Sequence, residues 1–382
     1  MKISCLQENL HKGLQTVGKA VANKTTLPVL NNILISTDRG RLKLAATNLE
    51  VGITNWIGCQ AEEEGAITVP ARLLSDFVAS LPNDRITITL DERTRTLKIE
   101  CARYEANIKG IAAEEFPIIP EVTDKPLARI PAPLLKEMIN QVAFSASSDD
   151  SRPVLAGVYV LMEGREMTMA AADGFRLARR TTQLDAPVDS PIKLIIPARS
   201  MTELARVLPD LEGEDAEPVS LVVTPNRNQV LFHLDNLDVT SRLVEGNYVD
   251  IDRVIPSDWA TRTVVPTSEL LKAVRVASFF AKDSANILRI QVEPGADMTP
   301  GVITISANAA EVGDNKTQLD CVVDGEAGQI ALNVRFLMDV LNVMDTPQVA
   351  LETKTPGSPG VLKPVGEDGH VHVIMPMYLA NR

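Results

Sequence analysis

Val69-Pro70-Ala71-Arg72 reads as the opening of a helix, and the same word returns as Ile196-Pro197-Ala198-Arg199 and, loosely, as Leu332-Asn333-Val334-Arg335. The copies stand 127 and 136 residues apart. Proline is favoured early in a helix, where its missing N–H would have no partner anyway. An acid one turn after each arginine (Asp76, Glu203, Asp339) suits an i,i+4 pair. Working outward, an alternating strand ending in a small polar turn precedes each copy: residues 42–48 (LKLAATN), 167–173 (MTMAAAD) and, more weakly, 303–309 (ITISANA), at spacings of 125 and 136. Further upstream a helical pattern carries Leu10-His11-Lys12, Leu134-Leu135-Lys136 and Leu270-Leu271-Lys272, spaced by 124 and 136. Leu81-Pro82 and Leu208-Pro209 then end the first two copies alike. Three blocks in constant order and nearly constant spacing describe one domain of about 125 to 135 residues used three times.

Proline-containing stretches at 116–120 and 248–256 punctuate the copies, which gives domains at 1–122, 123–256 and 257–382. Alternating segments at 86–90, 97–101, 219–223, 230–234 and 348–352 predict strands between the helices. The expected fold is α+β, three tandem domains each with two helices on a largely antiparallel sheet. The acidic runs 62–64 and 212–217 and the Pro/Gly/Ser stretch 355–360 read as exposed loops.

Composition narrows the function. A chain of 382 residues exceeds what one core serves, and 45% apolar with 23% charged residues is a soluble globular balance. No apolar run approaches the roughly 18 residues of a spanning helix, and Met1 opens a strand-like segment without the basic start of an export signal. No membrane association and a cytoplasmic location are therefore expected. Cys5, Cys59, Cys101 and Cys321 are isolated, so neither a zinc site nor a disulfide framework is indicated, only buried thiols in a reducing compartment. His11 and His233 lie apart, and His370-x-His372 lacks further ligands. With no P-loop, H-E-x-x-H or G-x-S-x-G, no cofactor or metal is expected and enzymatic chemistry is disfavoured. The enzyme reading would rest on Asp149-Asp150 with Asp173 as a metal-binding acid cluster. A second rival is a scaffold that binds peptides without DNA.

A formal net charge of −12 opposes nucleic-acid binding unless cations gather on one surface. The helical segments do carry them: Lys12, Lys19, Lys24 and Arg72 in the first copy, Lys136, Arg199 and Arg206 in the second, Lys272, Arg275 and Lys282 in the third, with Arg152 on a loop. Helices pack about 10 Å apart, so twelve in a circle leave a hole on the order of 30 Å. A duplex roughly 20 Å across passes such a hole with a layer of water. One chain supplies six helices, so two chains would close the ring head to tail about a twofold axis. Weak contact with cationic walls would allow sliding, with topology providing retention. Lysines on amphipathic helices are also ordinary solvent-facing residues, and each arginine has its own nearby acid; the sequence leaves their direction open.

Several stretches then match a known family. The opening MKISCLQENL, residues 25–33 (TTLPVLNNI), the VPAR helix starts, 171–178 (AADGFRLA), 241–256 (SRLVEGNYVDIDRVIP) and 373–379 (VIMPMYL) together resemble the beta subunit of bacterial DNA polymerase III, the sliding clamps, over essentially the whole chain. The resemblance implies a non-catalytic homodimeric ring around double-stranded DNA, independent of base sequence and associated with the nucleoid. It implies loading by an ATP-dependent clamp loader, and a role in tethering the replicative polymerase and other replication and repair proteins. Such clamps take short apolar partner peptides between their second and third domains. Here the matching positions are Leu155, Ala172, Gly174, Phe175, Arg176, Leu177, Val249, Arg253 and Val254, with Asn333, Phe336, Val373, Ile374, Met375, Pro376 and Met377. Methionines and aliphatics suit an adaptable surface shared by many peptides. The matching dimer positions are Ile108 on one chain and Phe279-Phe280 on the other. The chain departs from the family pattern at Val249, where many relatives have proline, at Phe175 (several have histidine), at Tyr378 (often arginine) and at Asp149, where a polar DNA-contacting residue is expected.

Overall fold

Each copy of the repeat folds as one string of elements taken twice: strand, helix, three strands. In the first copy the string runs Lys2–Leu6, helix α1 (Gln7–Val17), Asn32–Asp38, Arg41–Thr47 and Val51–Gly58. It then repeats as Ala66–Pro70, helix α2 (Ala71–Ser80), Arg85–Asp91, Thr96–Cys101 and Tyr104–Lys109, with a short extra strand at Gln60–Glu63. Helices α3 (Ala132–Val142) and α4 (Ala198–Val207) hold the same places in the second copy. A one-turn helix α5 (Ile251–Val254) precedes the third copy, which carries α6 (Thr267–Ala281) and α7 (Val334–Leu341). The computed structural model describes residues 1–382 apart from 23–24, 121–124, 210–216, 297–298, 310, 312 and 379–382.

The prolines mark the change from strand to helix. Pro70, Pro131, Pro197 and Pro266 are each the last residue of a strand, with the helix starting at the next residue. They therefore stand one position before the helix interior, not inside its first turn as the sequence suggested. Lacking an N–H, a proline ends a ladder without leaving a donor unpaired. Pro70 (φ −54°, ψ 116°) and Pro266 (φ −59°, ψ 125°) keep extended backbone.

Pairing within a copy is crossed. The strand before the first helix joins the second trio of strands, as Lys2–Leu6 pairs with Arg85–Asp91. The strand before the second helix joins the first trio, as Ala66–Pro70 pairs with Asn32–Asp38. The same crossing recurs in the second copy and the third.

The chain divides into two compact units that do not follow the copies. One comprises Met1–Leu135 and Glu203–Leu243, the other Lys136–Thr202 and Val244–Arg382, so the second copy is shared between them. The first unit holds a five-stranded and an eight-stranded sheet. In the latter, the last strand of copy two (Leu237–Arg242) pairs antiparallel with Val51–Gly58 of copy one. The second unit holds a 12-stranded sheet, in which the last strand of copy three (His370–Ile374) pairs with Arg176–Gln183 of copy two. Two edges are left. Tyr104–Lys109, the last strand of copy one, ends the five-stranded sheet. Residues 313–321 pair on one side with Gly301–Ala309 and, among the described residues, with no strand on the other.

The helices close the cores through period-3.6 apolar faces. Leu10, Leu14 and Val17 of α1 and Leu74 and Val78 of α2 are fully buried in the first unit, with Ile33, Ile35, Leu42, Leu44, Ile86 and Ile88 from the sheets. In the second unit Leu270, Val274 and Ala277 of α6 and Val334, Leu337 and Val340 of α7 form one cluster with Leu288, Ile303, Ile305 and Leu332. Each such large side chain contributes about 1.5 to 3 kcal/mol.

Candidate functional site

The outer faces of these helices carry the cations. On α1 the exposed stripe is Glu8, Lys12, Gln15 and, just beyond the helix, Lys19; Lys12 is paired with Glu8. Arg72 on α2 is almost wholly exposed and 3.7 Å from Asp76, as its spacing predicted. The other two arginine–acid pairs differ from expectation. Glu203 binds Arg206 at 2.7 Å, three residues on, and Asp339 binds Arg176 at 2.6 Å, a partner 163 residues away. Arg199 is exposed, Lys136 half-buried. Lys272 and Arg275 on α6 and Lys282, which follows its last residue, are exposed along one stripe. Lys24 lies outside the described residues. Arg152, expected to face DNA, is tied to its own loop. Its Nε donates to Asp149 Oδ2 (3.0 Å), Nη2 to Ser147 Oγ (3.0 Å) and Nη1 to the Asp173 carbonyl (3.2 Å), so it braces the loop that carries it.

The positions matched to a peptide site gather in the second unit. Ala172, Leu177 and Val373 are buried and form a floor with Ile251, Val361 and Val371, against which Tyr248 packs. The Tyr248 hydroxyl accepts from the Ala172 N–H at 2.9 Å, and its ring stacks on Tyr159 with centroids 5.3 Å apart. Around that floor large apolar side chains face solvent: Phe175 is 64% exposed, Val249 42%, Val254 41% and Met375 41%. Leu155, Pro376 and Met377 are half-buried, and Ile374 is fully buried beside Val373. The Asp173-Gly174 turn projects Phe175: Asp173 Oδ1 accepts from the N–H groups of Phe175 (2.8 Å) and Arg176 (3.0 Å). Gly174 takes φ +95°, a conformation that costs a residue with a Cβ. Main chain holds the tail in place, Met375 N–H donating to the Phe175 carbonyl and Met377 N–H to the Ala331 carbonyl, both at 2.8 Å.

Three of the matched polar residues have structural tasks. Arg176 is only 12% exposed; its guanidinium binds Asp173, Asp339 and the Phe144 carbonyl and lies 4.5 Å over the Phe336 ring. It is a tie inside the wall and not a free hydrogen-bonding hand. Asn333 caps α7 by accepting from the Arg335 N–H at 3.0 Å. Arg253 is exposed and paired with Asp250 at 2.9 Å.

Comparison with known proteins decides the family. The N-terminal, central and C-terminal domain models of the DNA polymerase III beta subunit match residues 1–120, 129–250 and 252–378. The chain belongs to the DNA polymerase III beta subunit family. Curated relatives named "Beta sliding clamp" include one from Synechocystis, 31% identical with all of both chains covered, and one from Bacillus subtilis, 30% identical with 99% of each covered. Among solved structures, the DNA polymerase sliding clamp of Bacillus subtilis superposes with a TM-score of 0.92 at 29% identity over the full length of both chains. The beta subunit from Pseudomonas aeruginosa gives 0.87 at 29% identity, with 99% of this chain and 100% of that one covered.

For this beta-subunit chain, the residues matched to a chain–chain contact divide. Phe279 is 71% exposed on α6, and Phe280 packs against the third-copy core. Ile108 is 4% exposed, its side chain on the buried face beside Leu97; it belongs to the core of its own unit. The strand around it presents Tyr104, Glu105, Asn107 and Lys109 to solvent. The acid-cluster rival fares poorly on geometry. Asp149 accepts from Ser151 and Arg152, contacts that hold its carboxyl below the usual range, and Asp173 serves its own turn and Arg176. Among the described residues no group of three His, Cys, Asp or Glu is placed to hold a metal, and no helix is long and apolar enough to cross a membrane.

The sequence reading missed Tyr248 and Ile251 as parts of the floor, although both stand in the quoted 241–256 stretch. It also missed Phe144 and Asp339 as anchors of Arg176, for which no local signal exists.

Proposed function

We propose that two copies of this chain close head to tail into a ring around duplex DNA and tether the replicative polymerase and other replication and repair proteins to it, with domain limits near residues 122 and 256. The carrying observation is the pairing rule between copies. The last strand of a copy pairs with the third strand of the preceding copy's first trio, once in each unit. That rule uses every strand of its kind except Tyr104–Lys109 and residues 313–321. Pairing these between two chains continues the pattern and closes it, and Phe279, with its exposed ring, is proposed to lie at that joint.

The exposed cations of α1, α2, α4 and α6 support a DNA-facing role. Each is a solvated charge worth little alone, so the wall would centre the duplex without fixing it. Retention is then topological, and opening by a clamp loader is required for entry. The apolar rim of Phe175, Val249, Val254 and Met375 over its buried floor supports docking of a short apolar partner peptide. In this reading the chain catalyses nothing; it is the processivity subunit of a polymerase, acting in the cytoplasm at the nucleoid.

The test is retention. Loaded onto nicked circular DNA, the protein should stay bound through gel filtration at about 0.2 M salt, where contacts made by a few cations are weak, and be lost when the circle is linearised. Equal retention on both forms overturns the ring.

A further inference from the structure

The tail that borders the apolar rim also borders a cavity of a different character. About 400 Å³ in volume, it is lined by Arg289, Gln291, Ser306, Gln329, Met377 and Tyr378 among others, and among the described residues Arg289 is the one charged residue in that lining. Arg289 is exposed on the strand Ile287–Glu293, whose alternate residues Leu288, Ile290 and Val292 are buried, so the sheet directs it outward. It pairs with no carboxylate among the described residues. A neighbouring cavity, also about 400 Å³, shares Gln291, Gln329 and Pro356 and extends to Glu293 and Lys354. There the cation is already matched, Lys354 to Asp258. On a chain of net charge −12, the end of this groove nearest the tail thus holds a guanidinium that no described carboxylate pairs, among neutral amide and hydroxyl groups.

The rim and the cavity are close. Met375 belongs to the rim and Met377 to the cavity lining, and two residues of extended chain span about 7 Å. A peptide anchored on Phe175 and Met375 would bring residues just outside its apolar anchors to Arg289. A guanidinium fork matches a carboxylate bidentately, and the side chains of Gln291, Gln329 and Ser306 offer further donors.

We propose that this cavity is a selectivity subsite for an acidic side chain flanking the apolar anchors of the partner peptide. The inference rests on the docking role of the rim, and it names a chemistry that the rim lacks. An acid there gains attraction at one point of an otherwise repulsive surface, so the subsite discriminates between partners more than it adds raw affinity.

The experiment uses the full chain and fluorescence anisotropy with a labelled peptide bearing leucine and phenylalanine anchors. Four longer versions carry three glutamates or three glutamines at either end. One glutamate version should bind about fivefold tighter than its glutamine counterpart at low salt, a difference near 1 kcal/mol. Arg289→Gln should cancel the preference without changing affinity for the bare peptide, and Arg289→Glu should reverse it. Equal binding of glutamate and glutamine versions at both ends, or a preference that survives Arg289→Gln, overturns the subsite while leaving the rim as a docking site. Failure of every peptide to bind overturns both.

Discussion

His370 and His372 meet through their Nε2 atoms at 2.7 Å on the strand His370–Ile374, so one ring donates and the other, unprotonated there, accepts. Burial lowers His370 to about 4 from an ordinary 6.5, helped by Arg180, and drives His372 well below it, with His370 and Arg176 adding to the effect. Arg180, the strand partner of His370, is itself paired with Glu137 and Glu367. Both folded-state values are depressed, so the unfolded chain binds more protons below about 6.5, and stability present above that pH is lost as it falls toward 4. The unfolding free energy from urea titrations should be flat from pH 8 to 7 and decline from about 6.5 downward, by up to about 1.4 kcal/mol per pH unit for each proton. His370→Gln should flatten the decline; an unchanged slope would place its origin elsewhere. Arg176 supports a second expectation at this scale. Arg176→Met leaves Asp173 and Asp339 without their cation and the Phe144 carbonyl without its donor, and should cost about 2 to 3 kcal/mol in chemical denaturation.

Between elements, the joins from copy to copy depend on close main-chain approach. A Cβ on Gly52 would meet Thr240 Oγ1 at 2.6 Å, where Thr240 donates to the Gly52 carbonyl at 3.2 Å. Gly52→Val should lower the melting temperature by several degrees, while Gly58→Val, at a site with nothing within 4 Å, should change it little. Local signals made much of this level legible beforehand. Alternation found the strands at 85–91 and 218–223 to within a residue, and the prolines found the helix starts to within one position. Crossed pairing within copies and the joins between them were not legible, because strand partners are chosen by burial far along the chain. The same limit explains Asp339, whose spacing suggested Arg335 while Arg176 holds it.

For the whole molecule, the free strand edges and Phe279 lead to a prediction about mass. The protein should sediment at roughly twice its 41.5 kDa chain mass. Phe279→Asp should yield a monomer with nearly unchanged melting temperature, because that side chain makes little contact within its own chain; a dimer that survives would exclude this residue from the joint.

Interlaced sheets also decide how the protein can be cut. A fragment severed after residue 122 would strip Leu237–Arg242 from Val51–Gly58, baring a raw hydrogen-bonding edge along residues 51–55. Such edges recruit any available chain, so single copies made in isolation should precipitate or polymerise. Excision that respects the architecture would splice residues 1–135 to 203–243, a shortcut that no ordinary truncation reproduces.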